Sequence, residues 1–118
     1  GPYLLYTYAR IQSLLKKAGR KKPKRTAVTL THPTEHQLMF LLAKYPEVVF
    51  GTAQSLQPSM LAQYLFDLAK TFAEFYAQVP VLTKEGQELS ERLALVRVVG
   101  EVLERGLTLL GIETVDEM

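Results

Sequence analysis

At 118 residues, 47% of them hydrophobic and with a mean hydropathy of +0.03, the chain has material for one domain with its own core and too little for two. It has no cysteine, which excludes disulfides, thiolate metal sites and cysteine nucleophiles, and no run of about 18 apolar residues that would cross a membrane. The net charge of +2 conceals a divided chain: residues 1–25 hold eight basic residues and no acid, residues 26–118 six bases and twelve acids, so the two parts carry +8 and −6. A basic segment on an acidic body suits a polyanionic partner, and from charge alone a solvated loop fits as well.

Helical periodicity dominates. Leu4, Tyr8, Ile11, Leu15 and Ala18 recur at spacings of four and three, which predicts a first helix with these side chains on one face. The opening GPYLLYTYAR has neither a basic n-region nor a cleavage site, so it does not read as a signal peptide. Gly19 stops the helix, and residues 19–33 read as a basic loop followed by an extended connector, with a proline ending the briefly strand-like AVTLTHP. A second helix is expected from Pro33, a good first-turn residue, with Glu35 near the positive end of the helix dipole and Leu38, Leu42 and Tyr45 facing inward. Pro46 is expected to break it and begin a short third helix with Val48 and Val49 inside.

Pro58 opens a long fourth helix whose core stripe is Leu61, Leu65, Leu68, Phe72, Phe75 and Val79. The fifth is expected over about 85–110, with Leu89, Leu93, Val96, Leu103, Leu107 and Leu110 on one stripe and Leu95, Val98, Val102 and Leu109 on a second, which predicts a central position. Gly100 and Gly106 each cost roughly 1 kcal/mol of helix propensity, a cost that close helix packing would offset. Gly111 then caps the end. The fold class read from this pattern is all-α, one domain over residues 1–118, a bundle of about five helices.

Catalytic patterns are weak. His32-Pro33-Thr34-Glu35-His36 formally matches the H-x-x-E-H arrangement of some zinc peptidases. That chemistry needs both histidines on one helical face and a third ligand, whereas Pro33 disfavours helical geometry at His32 and the chain has no other histidine. The residues read better as a helix start, with no metal. Glu85, Glu88 and Glu91, at three-residue spacing, read as a solvated face in the first turns of the last helix. No phosphate-cradling glycine loop is present.

The first helix is more informative. Tyr3, Tyr6 and Arg10 share a face away from the core stripe, and Tyr76 lies one position off the stripe of the fourth helix. Exposed tyrosines beside a guanidinium suit unpaired RNA, since any base can stack on a ring or an arginine plane for roughly 1–3 kcal/mol. The same tyrosines could instead bury their rings and bond outward through the hydroxyl.

At these residues the chain resembles a known family. GPYLLYTYARIQSLL, with its Tyr-x-x-Tyr-x-x-x-Arg pattern, looks like the helix that opens the anticodon-binding (DALR-type) domain of arginyl-tRNA synthetases. YPEVV (Tyr45 to Val49), LAQYLFDLAKTFAEFY (Leu61 to Tyr76), RLALVRVVGEVLERGLTLLGIE (Arg92 to Glu113) and a terminal methionine follow in the family's order. Individually the strings are weak; five in order are strong. The resemblance implies the all-α anticodon-binding bundle of class I aminoacyl-tRNA synthetases, with Tyr3, Tyr6, Arg10, Tyr76 and Met118 as nucleic-acid-binding residues. Lys16, Lys17, Arg20, Lys21, Lys22, Lys24 and Arg25 are candidate phosphate contacts on charge alone. The implied partners are the tRNA-Arg anticodon stem-loop and the catalytic domain of a parent arginine–tRNA ligase, in the cytoplasm.

The family commonly ends Pro-x-Arg-Met, whereas this chain ends Val115-Asp116-Glu117-Met118, with an acid in place of the base. No HIGH-type or KMSKS-type signature is present. The chain is therefore expected to be a C-terminal fragment opening inside a longer first helix, with no catalytic residue and no cofactor, ATP belonging to the missing catalytic domain. Two other readings stay open: a free-standing tRNA-binding or protein-interaction adaptor of the same fold, and a zinc hydrolase built on His32 and His36.

Overall fold

The computed structural model describes residues 2–18, 32–79 and 86–112, with the side chains of 86–89 left out. These residues form four helices and no strand: α1 (Pro2–Ala18), α2 (Pro33–Ser55), α3 (Pro58–Gln78) and α4 (Gly86–Leu109). The basic residues Arg20, Lys21, Lys22, Lys24 and Arg25, together with Met118, lie outside the described residues.

The expected count of five falls to four because α2 runs on through Pro46. A proline inside a helix removes one backbone hydrogen bond and crowds the preceding turn. Helix α3 packs along this stretch: the Tyr64 hydroxyl donates to the Leu41 carbonyl, one residue before the Leu42 carbonyl that the proline leaves without its helical donor, and the Tyr45 and Tyr64 rings lie 6.0 Å apart. Val48 and Val49 pack against the core as expected, but from the second half of one long helix.

Helix α2 begins with a capping box. His32 is the N-cap, its Nδ1 accepting the Thr34 N–H at 3.2 Å, and Glu35 Oε1 accepts the His32 backbone N–H at 3.0 Å. The other oxygen of the fully buried Glu35 accepts from Arg92 Nε of α4 at 3.2 Å. A carboxylate favoured at a helix start is thus also half of a buried ion pair. At the other end of α4, Gly111 takes φ +79°, the Ile112 N–H bonds the Leu107 carbonyl and the Gly111 N–H that of Thr108, a Schellman cap.

All six residues of the α3 stripe are buried, and α3 packs on each of the other helices. Helix α4 does the same, while the backbones of α1 and α2 do not approach each other closely. In α1, Leu4, Tyr8 and Ile11 are buried as the pattern predicts, with Leu14 fully inside and Leu15 and Ala18 only partly so. The second stripe of α4 divides: Leu95 and Val102 are buried, whereas Val98 and Leu109 are exposed. Glu91 is buried, not part of a solvated face, and Glu85 and Glu88 lie outside the described side chains.

Both glycines of α4 sit at close approaches. A Cβ on Gly100 would stand 3.0 Å from Ile11 Cγ2 of α1, and one on Gly106 would stand 2.6 and 2.7 Å from the two Cδ atoms of Leu65 in α3. Leu65 is fully buried, so it has little room to swing aside.

Three expectations follow. Gly106→Ala should lower stability by about 1–2 kcal/mol, overpacking outweighing the gain in helix propensity, while Gly100→Ala stays near neutral; thermal denaturation separates the two. Glu35→Ala should cost about 1–3 kcal/mol in urea unfolding, because it removes the cap acceptor and one partner of the Arg92 guanidinium together, and Glu35→Gln less, since an amide oxygen still accepts the cap N–H. The third concerns pH. Burial pushes the Tyr64 hydroxyl up to about 12, and raises Tyr45 as well. The unfolded phenol titrates near 10. The contribution of Tyr64 is therefore fully present below pH 10 and is lost as pH rises from about 10 to 12. Tyr64→Phe should cost about 1 kcal/mol at neutral pH and flatten the alkaline loss of stability relative to the parent.

Candidate nucleic-acid interface

The inward set Leu4, Tyr8 and Ile11 turns Tyr3, Tyr6 and Arg10 of α1 outward, and all three are exposed. Tyr8, by contrast, is buried and its hydroxyl donates to Glu104 Oε2 of α4 at 2.6 Å. On α3, Tyr76 follows the fully buried Phe75 and rests against Phe72, one turn back, with ring centroids 6.1 Å apart. That anchor leaves Tyr76 40% exposed.

The guanidinium of Arg10 lies between two rings from different helices. Its Cζ is 5.4 Å from the centroid of Tyr6 and 5.1 Å from that of Tyr76, and Nη2 reaches the Tyr6 hydroxyl at 3.5 Å. Both separations are within cation–π range, worth about 0.5–1 kcal/mol at an exposed site. A planar cation flanked by two aromatic faces offers stacking surface to a flat heterocycle and positive charge to a phosphate in one place.

Tyr3 stands apart from this cluster. Its ring meets Phe66 of α3, centroids 5.3 Å apart and planes inclined by 47°. The Thr7 hydroxyl donates to the Tyr3 carbonyl at 3.0 Å, and Thr7 itself is buried. The contacts Tyr3–Phe66 and Arg10–Tyr76 fall in the same order on both helices, so α1 and α3 run parallel along this face. Phe66 is 46% exposed and escaped the sequence reading, although it stands one residue past Leu65 just as Tyr76 stands one past Phe75.

Of the candidate phosphate contacts, Lys16 and Lys17 are exposed in the last turn of α1. Met118 and the remaining five lie outside the described residues. His32 is occupied as a helix cap, His36 is exposed on α2, and among the described residues no three His, Asp or Glu side chains are grouped to hold a metal ion. A groove of about 950 Å³ between α2 and α4, lined by Tyr45, Pro46, Val49 and Phe50 among others, is mainly apolar and presents one cation, Arg105.

Residues 4–118 match the family model of the DALR anticodon binding domain. Among curated proteins the chain is 41% identical to the arginine–tRNA ligase of a Synechococcus species over 117 residues, 99% of this chain and 20% of that protein. It is 40% identical to that of Lactiplantibacillus plantarum over 118 residues, 100% of this chain and 21% of that one. Among solved structures, the arginyl-tRNA synthetase of Thermus thermophilus superposes with a TM-score of 0.92 at 35% identity, covering 100% of this chain and 21% of that one. The arginyl-tRNA synthetase of Plasmodium falciparum gives 0.83 at 25% identity with the same coverage. The chain thus spans about a fifth of the length of the relatives it matches.

Proposed function

The chain belongs to the DALR anticodon binding domain family, and on that footing we propose that it grips the anticodon loop of tRNA-Arg as the C-terminal domain of an arginyl-tRNA synthetase. The observation that carries this is Arg10 held between the rings of Tyr6 and Tyr76. An unpaired base stacks on an outer ring face or replaces the guanidinium against one ring. Such a stack is worth about 1–3 kcal/mol and tolerates any base. The hydroxyls of Tyr3, Tyr6 and Tyr76 and the donors of Arg10 meet base edges, which turns stacking into selection. Lys16 and Lys17 draw in phosphates, helped on charge by the basic residues of segment 20–25, and the family resemblance adds Met118 as a base contact.

Arginine activation and its ATP belong to the other four fifths of such an enzyme, and this chain's task is to position the tRNA. That catalytic body and the tRNA are its partners, in the cytoplasm.

A fluorescently labelled tRNA-Arg anticodon stem-loop tests the proposal. Tyr6→Ala and Tyr76→Ala should each weaken binding by about five- to a hundredfold, the range expected for one lost stack, with unchanged helical content by circular dichroism. Arg10→Lys keeps the charge and loses the plane, so it should bind nearly as poorly as Arg10→Ala. Affinity of the parent should fall linearly in log–log form as salt rises, with a slope of about −0.7 per neutralised phosphate of a single strand. Parent-like binding by both tyrosine variants would remove the site.

A further inference from the structure

We propose that Tyr3 and Phe66 form a second stacking position, separate from the Tyr6–Arg10–Tyr76 cluster, that holds a different unpaired nucleotide of the same loop. The inference rests on the anticodon-loop reading above and adds Phe66 as a base-contacting residue.

Three observations carry it. Phe66 is 46% exposed and Tyr3 40%, so each ring keeps open surface although they touch. Their centroids lie 5.3 Å apart with planes inclined by 47°, a tilted aromatic contact that braces each ring against the other and leaves the exposed surface of each for a base to cover. An apolar ring left half in water beside a basic, aromatic surface is what a stacking platform for bases requires, because every base has a π-face and phenylalanine adds no polar group that restricts which one binds.

The second position is a distinct one by distance. On α3, Phe66 and Tyr76 are ten residues apart, about 15 Å along the helix at 1.5 Å per residue, whereas on α1 Tyr3 is only about 4.5 Å from Tyr6 and about 10 Å from Arg10. Adjacent stacked bases are separated by only about 3.4 Å. One base therefore cannot stack on both Phe66 and Tyr76, and two bases in direct stack do not span those two rings. The loop must present two nucleotides splayed apart, one to each end of the α1–α3 face. Tyr3 brings the hydroxyl that can bond a base edge, while Phe66 supplies surface alone.

The experiment uses the 118-residue chain and tRNA-Arg anticodon stem-loops that carry 2-aminopurine at one loop position at a time. With the parent, two loop positions separated in the sequence should show quenched emission on binding. Phe66→Ala should lower affinity about tenfold and abolish quenching at one position only, and Tyr76→Ala should abolish it only at the other. Phe66→Leu refills the volume without a ring and should bind no better than Phe66→Ala, whereas Phe66→Tyr should restore both affinity and quenching; melting temperatures of all three report that the fold is intact. Parent-like binding by Phe66→Leu overturns the proposal, since Phe66 is then apolar support for Tyr3. Loss of the same quenched position in Phe66→Ala and Tyr76→Ala overturns it as well. If Tyr6→Ala and Tyr76→Ala weaken binding while Phe66→Ala does not, the second position alone is wrong. If none of these variants weakens binding, the anticodon-loop reading falls and takes this position with it.

Discussion

Helix α3 is packed on all three of its neighbours, and the spacing of its apolar stripe decides where everything else stands. Six side chains from Leu61 to Val79 turn inward at intervals of four and three, so the residues one position along, Phe66 and Tyr76, emerge at the seam with α1. Helix α1 in turn shows its Tyr3–Tyr6–Arg10 face at that seam because Leu4, Tyr8 and Ile11 are committed to the core. The aromatic surface is therefore a by-product of two periodicities meeting in parallel register. Neither helix makes it alone.

The polar contacts inside the bundle link one helix to another. Tyr8 bonds Glu104 of α4, Tyr64 bonds the Leu41 carbonyl of α2, and Glu35 bonds Arg92 of α4. Each places a group with a strict hydrogen-bonding requirement where a mispacked helix would leave it unsatisfied. Apolar burial supplies most of the stability, and these contacts penalise alternative registers. The glycines of α4 act in the same direction: Gly106 allows Leu65 to press into the helix surface, and Gly100 does so for Ile11.

Much of this was legible in the sequence wherever a single periodic signal governed the outcome. The α3 stripe, the inward face of α1, the start of α2 at Pro33 and the Gly111 cap all follow from local rules, and so does the outward placement of Tyr3, Tyr6 and Arg10. The misses share a cause, which is a distant partner. Pro46 reads as a breaker until α3 is seen packed along α2 on both sides of it, and Glu35 reads as a helix-dipole residue until Arg92, 57 positions away, is seen to meet it. Glu91 is buried against the expectation for an acid in a first turn, and Val98 and Leu109 are exposed against the expectation for an apolar stripe. Phe66 was visible as an off-stripe aromatic, but only its contact with Tyr3 gives it meaning.

The two oxygens of Glu35 do different work, one closing the first turn of α2 and the other reaching α4. Helix ends ordinarily fray, and their amide protons exchange with solvent through small local openings that cost little. Here the first turn of α2 cannot loosen without also breaking a buried link to another helix. Deuterium should enter the amides of His32, Thr34 and Glu35 at the slow pace of the bundle's interior, so that the start of this helix behaves kinetically as part of the core.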